Sequence, residues 1–294
     1  MKIGGPQRTL RKETMDIKRR DFLRTAAAAS AGMATLTAQE GSEGKTKAPI
    51  PTYQAEVEKL FKTPDRYPNA LEAAPEGMWV GDQVSERVNL LDWKTGKSLV
   101  DFVAEAHNTS GLTLGQGYLW IGCNGAGTAA AKRAFNRPFD RNYGEIVQCD
   151  MHNGKQIKGY KTPWGSQHGV AYAPETDKLW AIAPGLKLAL ELDPKDNLRM
   201  SRMFALDQDT PHGAEWYQGH LWVMAAAGRL LQKIDPENGK VLEIYKLAPN
   251  DPDPHGMCIK DDYVYYCDAG LGGGRTPSIG TSPQMICRFP LHKA

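Results

Sequence analysis

The chain has 294 residues, a formal net charge of +2 and 24% charged residues. That balance argues against a nucleic-acid partner, whose phosphates call for a strongly basic surface. A hydrophobic content of 41% is that of an ordinary water-facing globular chain, long enough for one or two domains.

Residues 1–40 read as a targeting segment and a loose N-terminus, and residues 41–51 as a linker. Lys18, Arg19, Arg20, Asp21, Phe22, Leu23 and Arg24 precede an Ala-rich apolar run from Thr25 to Ala34, with small residues near Ala38 where cleavage fits. The order Arg-Arg-x-Phe-Leu resembles the bacterial twin-arginine signal, with Met15 as an alternative start. The resemblance implies a periplasmic or secreted protein that meets the twin-arginine export machinery, often after folding around a cofactor. The apolar run is too short for stable membrane insertion.

From Tyr53 onward the sequence repeats itself. One unit runs from Gly213 to Tyr245: strand, tight turn, strand, short loop, strand, Asp-x-x-x-Gly turn, strand, with apolar and polar residues alternating. The second-strand anchor recurs as Trp79, Trp120, Trp180, Trp222 and Tyr265. The turn before the fourth strand recurs as Asp92 to Gly96, Asp150 to Gly154, Asp193 to Asn197 and Asp235 to Gly239, closing on a residue suited to positive φ. The period is roughly 41 to 44 residues, the length of a four-stranded propeller blade, with an insertion in the second repeat. The last repeat lacks a fourth strand, and the segment from Tyr53 to Phe61 matches the missing one. The prediction is an all-β fold: a β-propeller of five four-stranded blades over residues 52–294, closed by an N-terminal strand. A six-bladed alternative lacks a segment for its extra blade, and a β-sandwich leaves the period unexplained.

These Gly-x-Leu-Trp units and Asp-Pro-x-x-Gly turns resemble the secreted propellers that include virginiamycin B lyase, plant-type glutamine cyclotransferases and YncE-like proteins. The resemblance implies the architecture more than any activity. A glutamine cyclotransferase would carry an acidic channel residue in the second blade. Here the matching stretch, Asn108 to Leu114, has no carboxylate.

Each first strand starts at one mouth of a propeller's channel. The starting positions are Asn69, Ser110, His168, His212 and His255, the last three each followed by glycine, with His107 just upstream of Ser110. Imidazole is a common ligand of divalent metals such as zinc, iron or copper, and ring symmetry brings such positions together. The arrangement resembles the peptidylglycine amidating lyase domain, whose zinc is held by inner-strand histidines. That likeness implies His168, His212 and His255 as metal ligands, with His107 as a candidate fourth ligand or catalytic group. Repetition inherited by blade duplication, or ligand binding without metal, are the alternatives. His152, His220 and His292 read as surface.

Glu215, three residues after His212 and matched by Glu72, is a candidate proton carrier. Asp82 and Asp268 end second strands and are candidate substrate ligands or turn caps. The loops add Lys187, Arg229, Lys132, Arg133, Arg137, Arg141 and Arg275, which either make the mouth basic for a small anionic substrate or are ordinary solvated charge. The five cysteines, Cys123, Cys149, Cys258, Cys267 and Cys287, show no C-x-x-C spacing. Cys267 with Cys287, or Cys123 with Cys149, are candidate disulfides; buried thiols are the alternative. No nucleophile elbow, P-loop or glycosidase-type carboxylate pair occurs. The expectation is a periplasmic metal-dependent lyase or hydrolase acting on a small anionic molecule. A non-enzymatic sensor or scaffold is the second reading, and a quinone- or haem-binding propeller the third.

Overall fold

A computed structural model describes residues 48–125, 140, 142–269 and 285–292. The signal-like segment and Lys132, Arg133, Arg137, Arg141 and Arg275 lie outside the described residues. The described fold contains no α-helix, only strands, loops and two short 3-10 turns.

Two strands come first, β1 (Thr52–Gln54) and β2 (Glu58–Lys62). Blade one follows: β3 (Pro68–Ala73), β4 (Met78–Asp82), β5 (Arg87–Leu91) and β6 (Ser98–Val103). Blade two is β7 (Thr109–Gly115), β8 (Tyr118–Cys123), β9 (Glu145–Asp150) and β10 (Gln156–Lys161). Blade three is β11 (Val170–Ala173), β12 (Lys178–Ala183), β13 (Leu188–Asp193) and β14 (Arg199–Ala205). Blade four is β15 (Pro211–Tyr217), β16 (His220–Ala225), β17 (Leu230–Ile234) and β18 (Val241–Lys246). Blade five has β19 (Met257–Lys260), β20 (Tyr263–Cys267) and β21 (Met285–Pro290). Its fourth strand is β2, paired antiparallel to β21 with Glu58 opposite Arg288. The protein is thus a five-bladed β-propeller closed by its N-terminal segment, as the repeat predicts.

One pairing was not legible in the sequence. Strand β1 adds to the outer edge of β18 in parallel, Tyr53 opposite Tyr245, so blade four has a fifth strand. Residues 52–62 therefore fasten two blades, one through each strand.

Local chemistry explains the hairpins. Gln116 with Gly117, Gln218 with Gly219, and Asp261 with Asp262 all take positive φ, the paired left-handed turn whose twist matches that of the flanking strands. In the turn before each fourth strand the Asp accepts backbone N–H bonds from the residues that follow, and Gly96, Gly154, Asn197 and Gly239 close it at φ between 52° and 72°.

The buried apolar residues gather at the five blade interfaces. Trp79 packs against blade two, Trp120 against blade three, Trp180 against blade four, Trp222 against blade five and Tyr265 against blade one. Trp120 and Trp180 are wholly buried. Each such ring contributes about 1.5–3 kcal/mol through apolar surface removed from water. All five cysteines are buried free thiols, so neither candidate disulfide forms. The register accounts for this: Cys287 lies opposite Tyr266 rather than Cys267, and Cys149 opposite Leu119, at the far end of β8 from Cys123.

Gly239→Ala and Gly117→Ala separate two costs. Both glycines have φ above 70°, but a Cβ at Gly239 sits 2.7 Å from the Phe204 ring while Gly117 faces open space. Gly117→Ala is expected to lose about 1 kcal/mol for the left-handed backbone alone. Gly239→Ala is expected to lose roughly 2–4 kcal/mol, because overpacking adds to the strain. Urea denaturation of the two variants checks the difference.

Candidate active site

The inner strands bring five starting residues to one mouth. Close packing fixes where they sit: a Cβ on Gly169 would come within 2.6 Å of the His212 carbonyl, and one on Gly256 within 2.7 Å of the Asn69 carbonyl. Glycine after the histidine is therefore what lets neighbouring inner strands touch backbone to backbone, as in the Gly169 N–H bond to the His212 carbonyl at 2.8 Å.

The three predicted imidazoles come together. The His168 and His212 ring centroids are 4.2 Å apart, and those of His212 and His255 4.8 Å. His212 is 4% exposed, while His168 and His255 are half-buried. The other side of the mouth is amide and hydroxyl. Asn69 Nδ2 donates to Ser110 Oγ at 3.1 Å, and Asn124 Nδ2 lies 2.8 Å from His168 Nε2. Ser166 Oγ donates to Asn124 Oδ1. Below the ring the channel is closed between Leu71, Leu112, Met257 and the inner-strand glycines.

Burial and the neighbouring His255 push the His168 pKa down to about 3, so this imidazole is neutral at physiological pH. His255 Nδ1 lies 3.3 Å from the Asp253 carbonyl oxygen. A carbonyl only accepts, so Nδ1 carries a proton in this contact.

Other sequence candidates have different surroundings. His107 is buried with Nδ1 3.6 Å from Glu145 Oε2. Asp82 Oδ1 accepts from the Val84 and Ser85 N–H groups and Oδ2 from that of Tyr67, the turn-capping role. Asp268 is 1% exposed and accepts from the Asp253 N–H at 3.3 Å. Arg229 pairs with Asp253 at 3.1 Å and donates to the Ala248 carbonyl, stapling the loop that leads to His255. Lys187 pairs with Asp209 in the loop before His212. The two described cations near the mouth are therefore engaged with carboxylates.

Glu215 lies three residues along its strand from His212, about 10 Å deeper at the usual strand rise. Its Oε1 accepts from the Trp216 N–H at 2.9 Å, and Oε2 is buried. Burial, then the charge of Glu72, raise its pKa well above the ordinary value. Glu72, which accepts from Thr113 and Leu114 of blade two, is raised by burial to about 8. Burial favours the protonated form of both carboxyls.

Among the described residues, no group of three or more His, Cys, Asp or Glu side chains is arranged to hold a metal ion. Nor is any helix there long and apolar enough to cross a membrane. Sequence reasoning missed Asn124 and Ser166. The only signal was a polar residue directly after the apolar β8, because the partnership with Ser166 spans 42 residues.

The pH dependence of stability follows from Glu72. A carboxyl whose folded pKa is raised keeps its full stabilising contribution below pH 4.5 and loses it as pH rises toward about 8. Glu72→Gln is expected to match the wild type at pH 4.5 and exceed it at pH 8.5 by on the order of 2 kcal/mol, discounted because Glu72 keeps some solvent contact. Thermal melts across that range measure the gap.

No protein-family model matches the chain, and no curated protein sequence does either. Solved structures do match. Glutaminyl cyclase of Myxococcus xanthus is similar over 83% of this chain and all of its own, with a TM-score of 0.59 and 10% identity. A luciferin-regenerating enzyme is similar over 80% of this chain and 95% of its own, with a TM-score of 0.55 and 17% identity. Virginiamycin B lyase of Staphylococcus aureus reaches a TM-score of 0.49 at 12% identity, over 81% of this chain and all of its own. At these identities what is shared is the fold: the chain is a five-bladed β-propeller of the architecture that glutaminyl cyclase also has.

Proposed function

We propose that the protein is a periplasmic lyase or hydrolase acting on a small anionic molecule at the mouth of its channel. The observation that carries this reading is the contact of three imidazoles from consecutive blades at 4.2 and 4.8 Å, with a hydroxyl and amides completing the ring. Imidazole is the side chain best suited to proton transfer near neutral pH. His255, with its lone pair on Nε2, takes a proton from the substrate or from water. His212, packed between the other two rings, holds them in place. The anionic substrate is drawn by cationic side chains of the loops, among them Arg133, Arg137 and Arg275. The periplasmic location rests on the twin-arginine resemblance.

Three histidines lead one to expect a divalent zinc, iron or copper ion. Among the described residues no group of three His, Cys, Asp or Glu donors is arranged around a common point, and the Asn124 amide lies 2.8 Å from His168 Nε2. The proton-transfer reading needs no ion.

The test is a thermal-shift screen of the exported protein against small carboxylates, phosphates and their esters, with turnover assays on every hit. His255→Ala is expected to lower kcat/KM by roughly 10²- to 10⁴-fold while still melting cooperatively. Hits that bind without turnover, in the wild type and the variant alike, would establish the sensor reading instead. Elemental analysis of the wild type and His212→Ala settles the ion: about one metal per chain, lost in the variant, would make the ring a metal centre. Replacing both Arg19 and Arg20 by Lys is expected to stop export, followed by periplasmic fractionation; unchanged export overturns the location.

A further inference from the structure

The Asn124 amide is held from several sides. Its backbone N–H donates to the Asn108 carbonyl at 3.0 Å, and its own carbonyl accepts from Asn108 Nδ2 at 3.2 Å. An isolated bridge joins it to Ser166, whose hydroxyl donates to Asn124 Oδ1. With the amide oxygen against the Ser166 hydroxyl, the nitrogen faces His168 Nε2 at 2.8 Å and Ser110 Oγ at 3.5 Å. An amide nitrogen only donates. His168 Nε2 must therefore accept, and in a neutral imidazole the single proton is then on Nδ1. His168 Nδ1 is buried and has no hydrogen-bond partner among the described residues.

We propose that Asn124 is the positioning residue of the mouth: it fixes His168 as an Nδ1–H donor, reserved for a carbonyl or carboxylate oxygen of the bound ligand. This deepens the proposed function, on which its ligand part rests. A buried donor with no partner is uncommon, and its natural complement is an acceptor that arrives with the ligand. The two half-buried histidines then have opposite duties. His255 presents a lone pair, and His168 presents a proton that it does not give up. The division suits substrates in which a proton is removed next to a group whose oxygen gathers negative charge.

The test reads the tautomer directly, without needing a substrate. ¹⁵N NMR of the histidine-labelled protein at neutral pH is expected to show His168 protonated at Nδ1. In Asn124→Asp the carboxylate accepts from Nε2, so the proton moves to Nε2. In Ser166→Ala the amide is no longer held one way round, and the two tautomers are expected to mix. A wild-type proton on Nε2, or an unchanged tautomer in both variants, overturns the assignment whether or not the protein is an enzyme. Acetate, as the simplest carboxylate probe, is expected to shift the Nδ1 resonance of the wild type and leave Asn124→Asp unmoved. A wild-type resonance that acetate leaves in place overturns the ligand-oxygen role. The substrate screen decides the parent reading separately, since it rests on turnover and on His255.

Discussion

At the inner end of blades two, three, four and five, a small step of chain carries two requirements. The first residue is polar and reaches the mouth; the next is glycine, lying against the backbone of the following blade. A side chain at the second position would push the inner strands apart. Because the ring closes on itself, that displacement would be felt at every interface. The channel is narrow because of this contact, and the starting residues touch because the channel is narrow. The ring of imidazoles is in this sense a by-product of backbone packing, and its chemistry depends on glycines that take no part in it.

Electrostatics follow from the same compactness. Burial disfavours the charged form of His168 from one side of the pH scale and of Glu72 and Glu215 from the other. On acidification the unfolded chain binds a proton at His168 that the native state refuses, and on alkalinisation it releases protons that the native carboxyls keep. Both effects narrow the range over which the ring is stable. Glu215 lies deeper along its strand than the mouth, with Oε1 taken by the Trp216 N–H.

Most of the architecture was legible because it is periodic. The anchors Trp79 to Tyr265 and the Asp-to-Gly turns recur with the blade, and recurrence is visible without knowing what each residue touches. The mouth was half legible for the same reason: His168, His212 and His255 occupy one repeated position. What escaped was aperiodic. Asn124 meets Ser166 and His168 only after two blades have folded together, and nothing in its neighbours announces this. Arg229 looked like a cation for a ligand, yet its guanidinium is drawn to a loop about 20 residues further on. The parallel addition of β1 to β18 was hidden by the clear match of β2 to blade five. A segment already given one role showed no sign of a second.

That double attachment sets an order on the birth of the molecule. The strands that complete blades four and five, β1 and β2, leave the ribosome before any blade exists, and their partners arrive about 190 and 230 residues later. Until then the N-terminal segment waits with its backbone unpaired, and a nascent chain can stack blades but cannot lock them. The ring is an open arc with two bare strand edges for most of its synthesis, exposed to pairing with a neighbouring chain, and it becomes a closed object in one late event.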